Sequence, residues 1–426
     1  MSTVLIYTSP ARGHLYPMMD VALAMQEAGH RVVLQTLADE RGHVEAAGLE
    51  HRPIDPAIER LPLVDFQESS TMAQIKAALG CWLSRAPHEV DDLQATLDTL
   101  QPDLLVVDAN CWGAAALAQA QHRPWAMFLP YSLPLASPQT PAFGPGFPPP
   151  SNALHRFRDR LVWAAQGQMM RPFITELNSL RAELGVGPLG GLSDLYLQAD
   201  VLLYRTAEPF EYSRRDWPAN VHPIGPGLWS PPEEPPAWLA ELPHPRVLVS
   251  VSTELQEDGA IIEAALAALA GEPGSIIVTT SALSPEQFTP PHDRTRIVRF
   301  VSHAAVIDDV DLVVTHGGMG TTQRALSAGI PLVVVPWGRD QKESARRVEH
   351  AAAGVMLPPK QLTPQRMQQA IRDARGSGPG ARRVAQGFAA AGGAERAVAL
   401  LEELMAGPTG PGVAVRPAGQ PRPSAR

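Results

Sequence analysis

Both halves of the chain repeat one pattern: a short run of branched apolar residues, a loop marked by glycine, serine or proline, then apolar residues at helical spacing. In the first half Val4-Leu5-Ile6-Tyr7 leads through a turn-rich stretch at 8–17 to helical spacing at 18–28, which Gly29 stops. The run 31–36 reads as a second strand, and 103–108 as a later one after a long helical pattern at 72–100. In the second half the strands are 247–251, 275–279, 295–299, 312–315 and 331–335, with helices at 260–270 and 321–328 stopped by Gly271 and Gly329. Strands apolar along their whole length are buried on both faces, and their alternation with helices predicts parallel sheets. The expected fold class is α/β, with two doubly wound, Rossmann-like units.

A chain of 426 residues fits two such domains at roughly 100 to 200 residues each. Residues 217–245 are crowded with proline, which disfavours helix and central strand alike, and read as the linker. The expected division is 1–216, linker 217–245, 246–392, a helical segment at 393–405 and a disordered tail at 406–426, where no apolar period survives. A net charge of -9 lacks the basic field that nucleic acids and anionic membranes select, so neither is expected as a partner. Cys81 and Cys111 are the only thiols, too few for a disulfide framework. With no basic, apolar leader and no apolar run of about 18 residues, a cytoplasmic protein, monomer or homodimer, is expected.

Several chemistries lose their signatures. There is no Gly-x-x-x-x-Gly-Lys-Ser/Thr for a P-loop, and the first strand-to-helix loop lacks the Gly-x-Gly-x-x-Gly of a dinucleotide site. Nor is there a Gly-x-Ser-x-Gly elbow, a His-Glu-x-x-His or a Cys-x-x-Cys. Asp309-Val310-Asp311 formally pairs two carboxylates, but short acidic pairs are common and no metal is expected.

What remains is the run Thr315-His316-Gly317-Gly318-Met319-Gly320-Thr321-Thr322 between an apolar strand and a helix. Open α/β sheets bind ligands at such strand ends. Glycines let backbone approach closely, and hydroxyls and N–H groups at a helix N-terminus favour an anion such as a diphosphate. His316 can add a charge-assisted hydrogen bond, and Ser252 and Thr253, at another strand end, further donors.

The whole run from Phe300 to Leu357 resembles the donor-binding signature of the GT-B nucleotide-sugar glycosyltransferases, family 1, and specifically the bacterial macrolide and natural-product branch. The matching stretches are Phe300-Val301-Ser302-His303, His316 to Thr322, Ala328 to Pro336, Asp340-Gln341 and Ala345 to Val348, in the family's order and spacing. Gly13-His14-Leu15-Tyr16-Pro17 is similar to the family's Gly-His-x-x-Pro, and Pro102 to Asp108 to the segment that ends in its activating aspartate. The resemblance spans residues 3–405. It implies two sheet domains facing across a cleft, with the segment at 393–405 packing back toward the first, and an inverting, metal-independent sugar transfer in which the nucleotide-sugar is a co-substrate and no cofactor is needed.

By that resemblance His14 is the general base and Asp108 its partner. Imidazole titrates near neutrality, and a neighbouring carboxylate fixes its tautomer and stabilises the imidazolium. His316, Gly317, Gly318, Gly320, Thr321 and Thr322 would face the diphosphate with Ser252 and Thr253 assisting, Asp340 and Gln341 would bind sugar hydroxyls, and backbone at Val301 and Ser302 would face the base. His303 reads as a surface histidine without a role. Where many relatives carry a glutamate that grips the ribose diol, this chain has Arg324, which cannot accept a hydrogen bond; a 2'-deoxyribose loses less by that change, favouring a dTDP-sugar over a UDP-sugar. The acceptor would meet Trp82, Trp112, Phe128, Tyr131, Phe143 and Phe147, an aromatic set suited to a lipophilic polyketide, macrolide, enediyne or flavonoid. The proline-rich stretch 130–150 reads equally as a cleft wall or a surface loop. Two alternatives stand beside this one: a nucleotide-sugar 2-epimerase of the same fold, and a non-catalytic helper that binds nucleotide-sugar or aglycone.

Overall fold

The computed structural model describes residues 1–64, 71–252 and 258–407. Thr253 and the tail from 408 lie outside the described residues. Among the described residues thirteen strands form two all-parallel sheets. The first holds β1 (Thr3–Tyr7), β2 (Arg31–Thr36), β3 (Glu50–Pro53), β4 (Leu104–Asp108), β5 (Trp125–Leu129), β6 (Val201–Tyr204) and β7 (Val221–Pro223), in the order β3-β2-β1-β4-β5-β6-β7. The second holds β8 (Arg246–Ser250), β9 (Ser275–Thr279), β10 (Thr295–Val298), β11 (Leu312–Thr315), β12 (Leu332–Val334) and β13 (Gly354–Met356), ordered β10-β9-β8-β11-β12-β13.

The uninterrupted apolar runs follow from cover on both faces. In β1 and β4, Leu5, Tyr7, Leu105 and Val107 join one core cluster, while Val4, Ile6, Leu104 and Val106 join another. The second sheet divides likewise, Leu248 going to one cluster and Val247 and Val249 to its opposite. Each strand order reverses direction once, between β1 and β4 and between β8 and β11, and the crevices beyond those carboxyl ends are where such sheets take ligands.

Two elements differ from expectation by more than an end or two. The first helix runs Arg12–Glu27, so residues 12–17 are helix rather than turn, and Pro17 lies inside it. Proline costs only its own N–H and the space near the carbonyl four residues back. Buried Leu15, Met18, Met19 and Met25 hold the helix to the sheet regardless. The proline-rich segment 217–245 is not all linker: its residues 221–223 pair with β6 as an edge strand, the one sheet position where proline is tolerated. The strand at 295–299 ends at Val298. The helix Gly393–Ala406 packs on Arg12–Glu27 and inserts Ala397, Leu400 and Leu401 into the core of the first sheet.

Candidate active site

Asp108 is the last residue of β4, and His14 lies in the first turn of the helix that follows β1, so the switch point of the first sheet brings them together. His14 Nδ1 is 2.7 Å from Asp108 Oδ2. The carboxylate side chain is fully buried and the imidazole 18% exposed. Asp108 also accepts from the Ser9 hydroxyl at 3.2 Å and from the Asn110 backbone N–H at 2.8 Å. An acceptor at Nδ1 sets the proton there and directs the Nε2 lone pair away from Asp108. The Asn110 Nδ2 lies 3.3 Å from Nε2, and the Asn110 Oδ1 accepts from the Tyr131 hydroxyl at 2.8 Å.

Behind this pair, the long helix Thr71–Leu100 carries Glu89 to the N-terminus of the helix Trp112–Ala120. There it accepts from the Gly113 N–H at 2.8 Å and the Ala114 N–H at 3.4 Å. Burial pushes its carboxyl up to about 8 despite those donors, with Asp108 adding to the rise. Cys111, on the same turn, is buried and its thiol is likewise pushed up.

In the second half, β11 ends at Thr315, and His316, Gly317 and Gly318 turn the chain into the helix Met319–Ser327. Gly317 has φ +98°, and a Cβ there would lie 2.8 Å from Val334 Cγ1. A Cβ on Gly318 would come within 2.6 Å of His316 Nε2, so the ring folds against the bare backbone of the helix start. Gly320 faces open space. Burial depresses His316 to about 4, against a backbone hydrogen bond with Ser250. Burial thus favours the neutral ring, where the sequence context suggested a charged one.

His303 is half-buried and hydrogen-bonded at both ring nitrogens rather than lying open at the surface. Nε2 lies 3.3 Å from the Thr279 hydroxyl at the end of β9 and Nδ1 3.2 Å from the Thr321 hydroxyl. Burial, Arg324 and His316 together depress it to about 4. Thr322 is fully buried, its hydroxyl without a partner among the described residues. The Ser252 N–H donates to Asp258 at 2.8 Å. Val301 is buried in the core, and the Ser302 N–H, instead of being held out for a base, donates to Glu233 at 3.2 Å. Arg324 reaches out of its helix to the Leu228 carbonyl at 2.6 Å, so its guanidinium is tied to the interdomain segment. Asp340 precedes the helix Gln341–His350. Burial raises its carboxyl, while the charges of Arg339, His14 and Arg347 draw it down. The Gln341 side-chain Oε1 accepts from the Trp337 and Gly338 N–H groups at 2.7 and 2.9 Å, which closes the turn and commits that atom away from a sugar.

Asp340 thus lies within electrostatic reach of His14 although 326 positions separate them in the chain. The halves are clamped nearby. Glu343 accepts from the Gly144 N–H at 2.7 Å and the Gly146 N–H at 3.3 Å, and the Arg346 Nε donates to the Gly146 carbonyl at 2.9 Å. The stretch 130–150 is therefore neither a loose loop nor simply a wall, but a strap pinned to the second half. Among the described residues no three His, Cys, Asp or Glu side chains converge as a metal site, and no helix is long and apolar enough to cross a membrane.

Residues 263–404 match the model for the C-terminal domain of erythromycin biosynthesis protein CIII-like proteins. The 4'-demethylrebeccamycin synthase of Lentzea aerocolonigenes is 30% identical over 383 residues, covering 87% of this chain and 90% of that enzyme. The chain belongs to the GT-B natural-product glycosyltransferases. Its architecture superposes on the calicheamicin glycosyltransferase CalG4 with a TM-score of 0.73 at 20% identity, over 96% of this chain and 99% of that one. The spinosyn rhamnosyltransferase SpnG, solved with thymidine diphosphate, matches with a TM-score of 0.69 at 20% identity, over 94% and 100%.

Within this glycosyltransferase the six aromatic residues do not form one wall. Tyr131 stands at the dyad, its ring 5.8 Å from the His14 ring. Trp82 and Trp112 pack edge to face at 5.7 Å within the core beneath. Phe128 is fully buried on the other face of the sheet, with the methionines of the first helix, and so is unavailable to an acceptor. Side chains on alternate positions of a strand point to opposite faces, which places Phe128 opposite Met127 and Leu129. Phe147 lies under the Arg158 guanidinium at 4.0 Å, and Phe143 lines a small cavity with Tyr204, Glu211 and Arg347. Sequence reading also missed Ser9, Asn110 and Glu89. Only Asn110 left a trace, as the third residue of an Asp-x-Asn turn between a strand end and a helix start.

Proposed function

We propose that this glycosyltransferase moves a sugar from a nucleoside diphosphate to a hydroxyl of a lipophilic natural product, with inversion and without a metal. The dyad carries this reading: a histidine fixed by a buried aspartate at one sheet's switch point, in reach of an aspartate beside the glycine loop of the other. The acceptor O–H gives its proton to His14 Nε2, and Asp108 stabilises the imidazolium. The oxygen attacks the anomeric carbon on the face opposite the diphosphate, and the bond to the diphosphate oxygen breaks. The departing charge falls on the N-terminus of Met319–Ser327 and the neutral His316, which supply donors where a metal would otherwise be needed. Asp340 accepts from a sugar hydroxyl.

A dTDP-deoxysugar is the favoured donor, with a UDP-hexose next. Arg324 spends a guanidinium nitrogen on Leu228 and can accept nothing from a ribose diol, and the thymidine diphosphate bound by SpnG is consistent with this. Thermal stabilisation by dTDP, UDP, GDP, ADP and NAD at equal concentration tests the donor, since binding to the native state raises the melting point. The expected order is dTDP above UDP; a response to NAD alone sinks the reading. For the dyad, His14→Ala is expected to lose transfer, by about 10²-fold or more, while keeping the dTDP-induced shift. Full turnover in that variant removes His14 as base.

A further inference from the structure

The Asn110 side chain, in a residue 8% exposed, lies between the His14 ring and the Tyr131 hydroxyl. Its orientation is set from both ends. Asp108 holds the His14 proton on Nδ1, so Nε2 presents a lone pair and needs a donor opposite it; Tyr131 donates to Oδ1, which leaves Nδ2 to face Nε2. The reverse orientation would set oxygen against the lone pair. The backbone of Asn110 is fixed as well, by its N–H to Asp108 Oδ1 at 2.8 Å, so the carboxamide cannot drift as a unit.

We propose that Asn110, aimed by Tyr131, is a positioning residue that caps the Nε2 lone pair of the resting His14 until an acceptor hydroxyl displaces it. The cap stabilises the neutral, Nδ1–H form of the ring and opposes its protonation, because the group opposite Nε2 is a donor. When the acceptor O–H has displaced Nδ2 and passed its proton to Nε2, the Tyr131 hydroxyl still holds Oδ1, so the amide does not turn its oxygen to the imidazolium. In the transfer the acceptor O–H and the anomeric carbon's bond to the diphosphate break while Nε2–H and the glycosidic bond form, and the cap itself exchanges no proton. This inference rests on His14 being the base.

The test needs no substrate. In full-length protein labelled with ¹⁵N-histidine, the His14 ring signal is identified by its loss in His14→Gln and followed against pH in wild type, Asn110→Ala and Tyr131→Phe. The charged and titratable groups facing His14 stay in place in the first variant: Asp108 at the end of β4, Asp340 with Arg339 before the helix Gln341–His350, and Tyr131 after β5. Asn110→Ala removes the donor to the neutral ring. Tyr131→Phe keeps the aromatic contact but frees the amide to turn its oxygen toward a protonated ring. Both titration midpoints are expected to rise by about half a pH unit, a roughly threefold change in proton affinity. A midpoint that holds still or falls in either folded variant overturns the proposal, and Tyr131→Phe decides alone should Asn110→Ala not fold. Failure here, with transfer still lost in His14→Ala, removes only the cap; turnover in His14→Ala removes the base beneath it.

Discussion

Glu89 is the residue whose protonation most clearly links the candidate site to stability. Its carboxyl is held near 8 in the fold against an ordinary value of 4.5, so the folded protein keeps a proton that the unfolded chain releases. Its contribution is therefore whole below about pH 4.5 and drains away as the pH rises through 8. Glu89→Gln, which keeps an acceptor for Gly113 and Ala114, is expected to match wild type at pH 5 and to melt higher at pH 8.5; thermal unfolding at the two values checks it. His303 and His316 act in the opposite sense. Both are neutral in the fold and depressed to about 4, so stability falls on acidification from about 6.5 toward 4. Replacing His303 with Gln should flatten that acid limb. Neither sense was legible in the sequence, because a glutamate inside a helical pattern and a histidine after a strand look the same whether solvated or buried.

Among the elements, the strands were the most legible part, since a parallel sheet covered on both faces writes itself as unbroken apolar runs. His14, Asp108 and the loop from His316 to Thr322 were legible because each stands at a strand's carboxyl end with glycines or a turn beside it. The first helix was not: Gly13 and Pro17 read as a turn, and only the methionines packed beneath them show why they are helix. Aromatic side chains were the least legible, because residue type does not tell which face of a strand or helix meets the cleft. Glycine positions separate by what lies opposite them. A Cβ on Gly113 would meet the Ala86 carbonyl oxygen at 1.8 Å, where the long helix crosses Trp112–Ala120. Gly113→Ala is expected to cost about 3 kcal/mol, the upper end for overpacking, measured by urea unfolding. Gly318→Ala displaces only the His316 ring, so it should fold and yet lose most of the dTDP-induced melting shift.

The molecule as a whole is joined by more than its linker. Arg347 pairs with Glu211 of the first half at 2.9 Å and with Glu343 of its own helix at 2.9 Å, all three buried. Removing it would leave two carboxylates unpaired, a loss of about 3–5 kcal/mol that an Arg347→Ala melting curve would show. The Gln323 amide donates to the Arg205 carbonyl at 2.6 Å, next to the Arg324 contact with Leu228. Farther on, Leu400 and Leu401 complete the core under the first helix, so Leu401→Ala should cost about 3 kcal/mol although the residue follows every strand of the second sheet.

That last helix has a practical corollary for recombining such enzymes. The polypeptide passes from the first sheet to the second and then returns, so the unit that folds around β1 to β7 is discontinuous in sequence. A hybrid that joins the front of this chain to the back of a relative at one crossover inherits a foreign lid on the core beneath His14. Two crossovers, the second ahead of Gly393, keep Leu400 and Leu401 with the methionines they were fitted to.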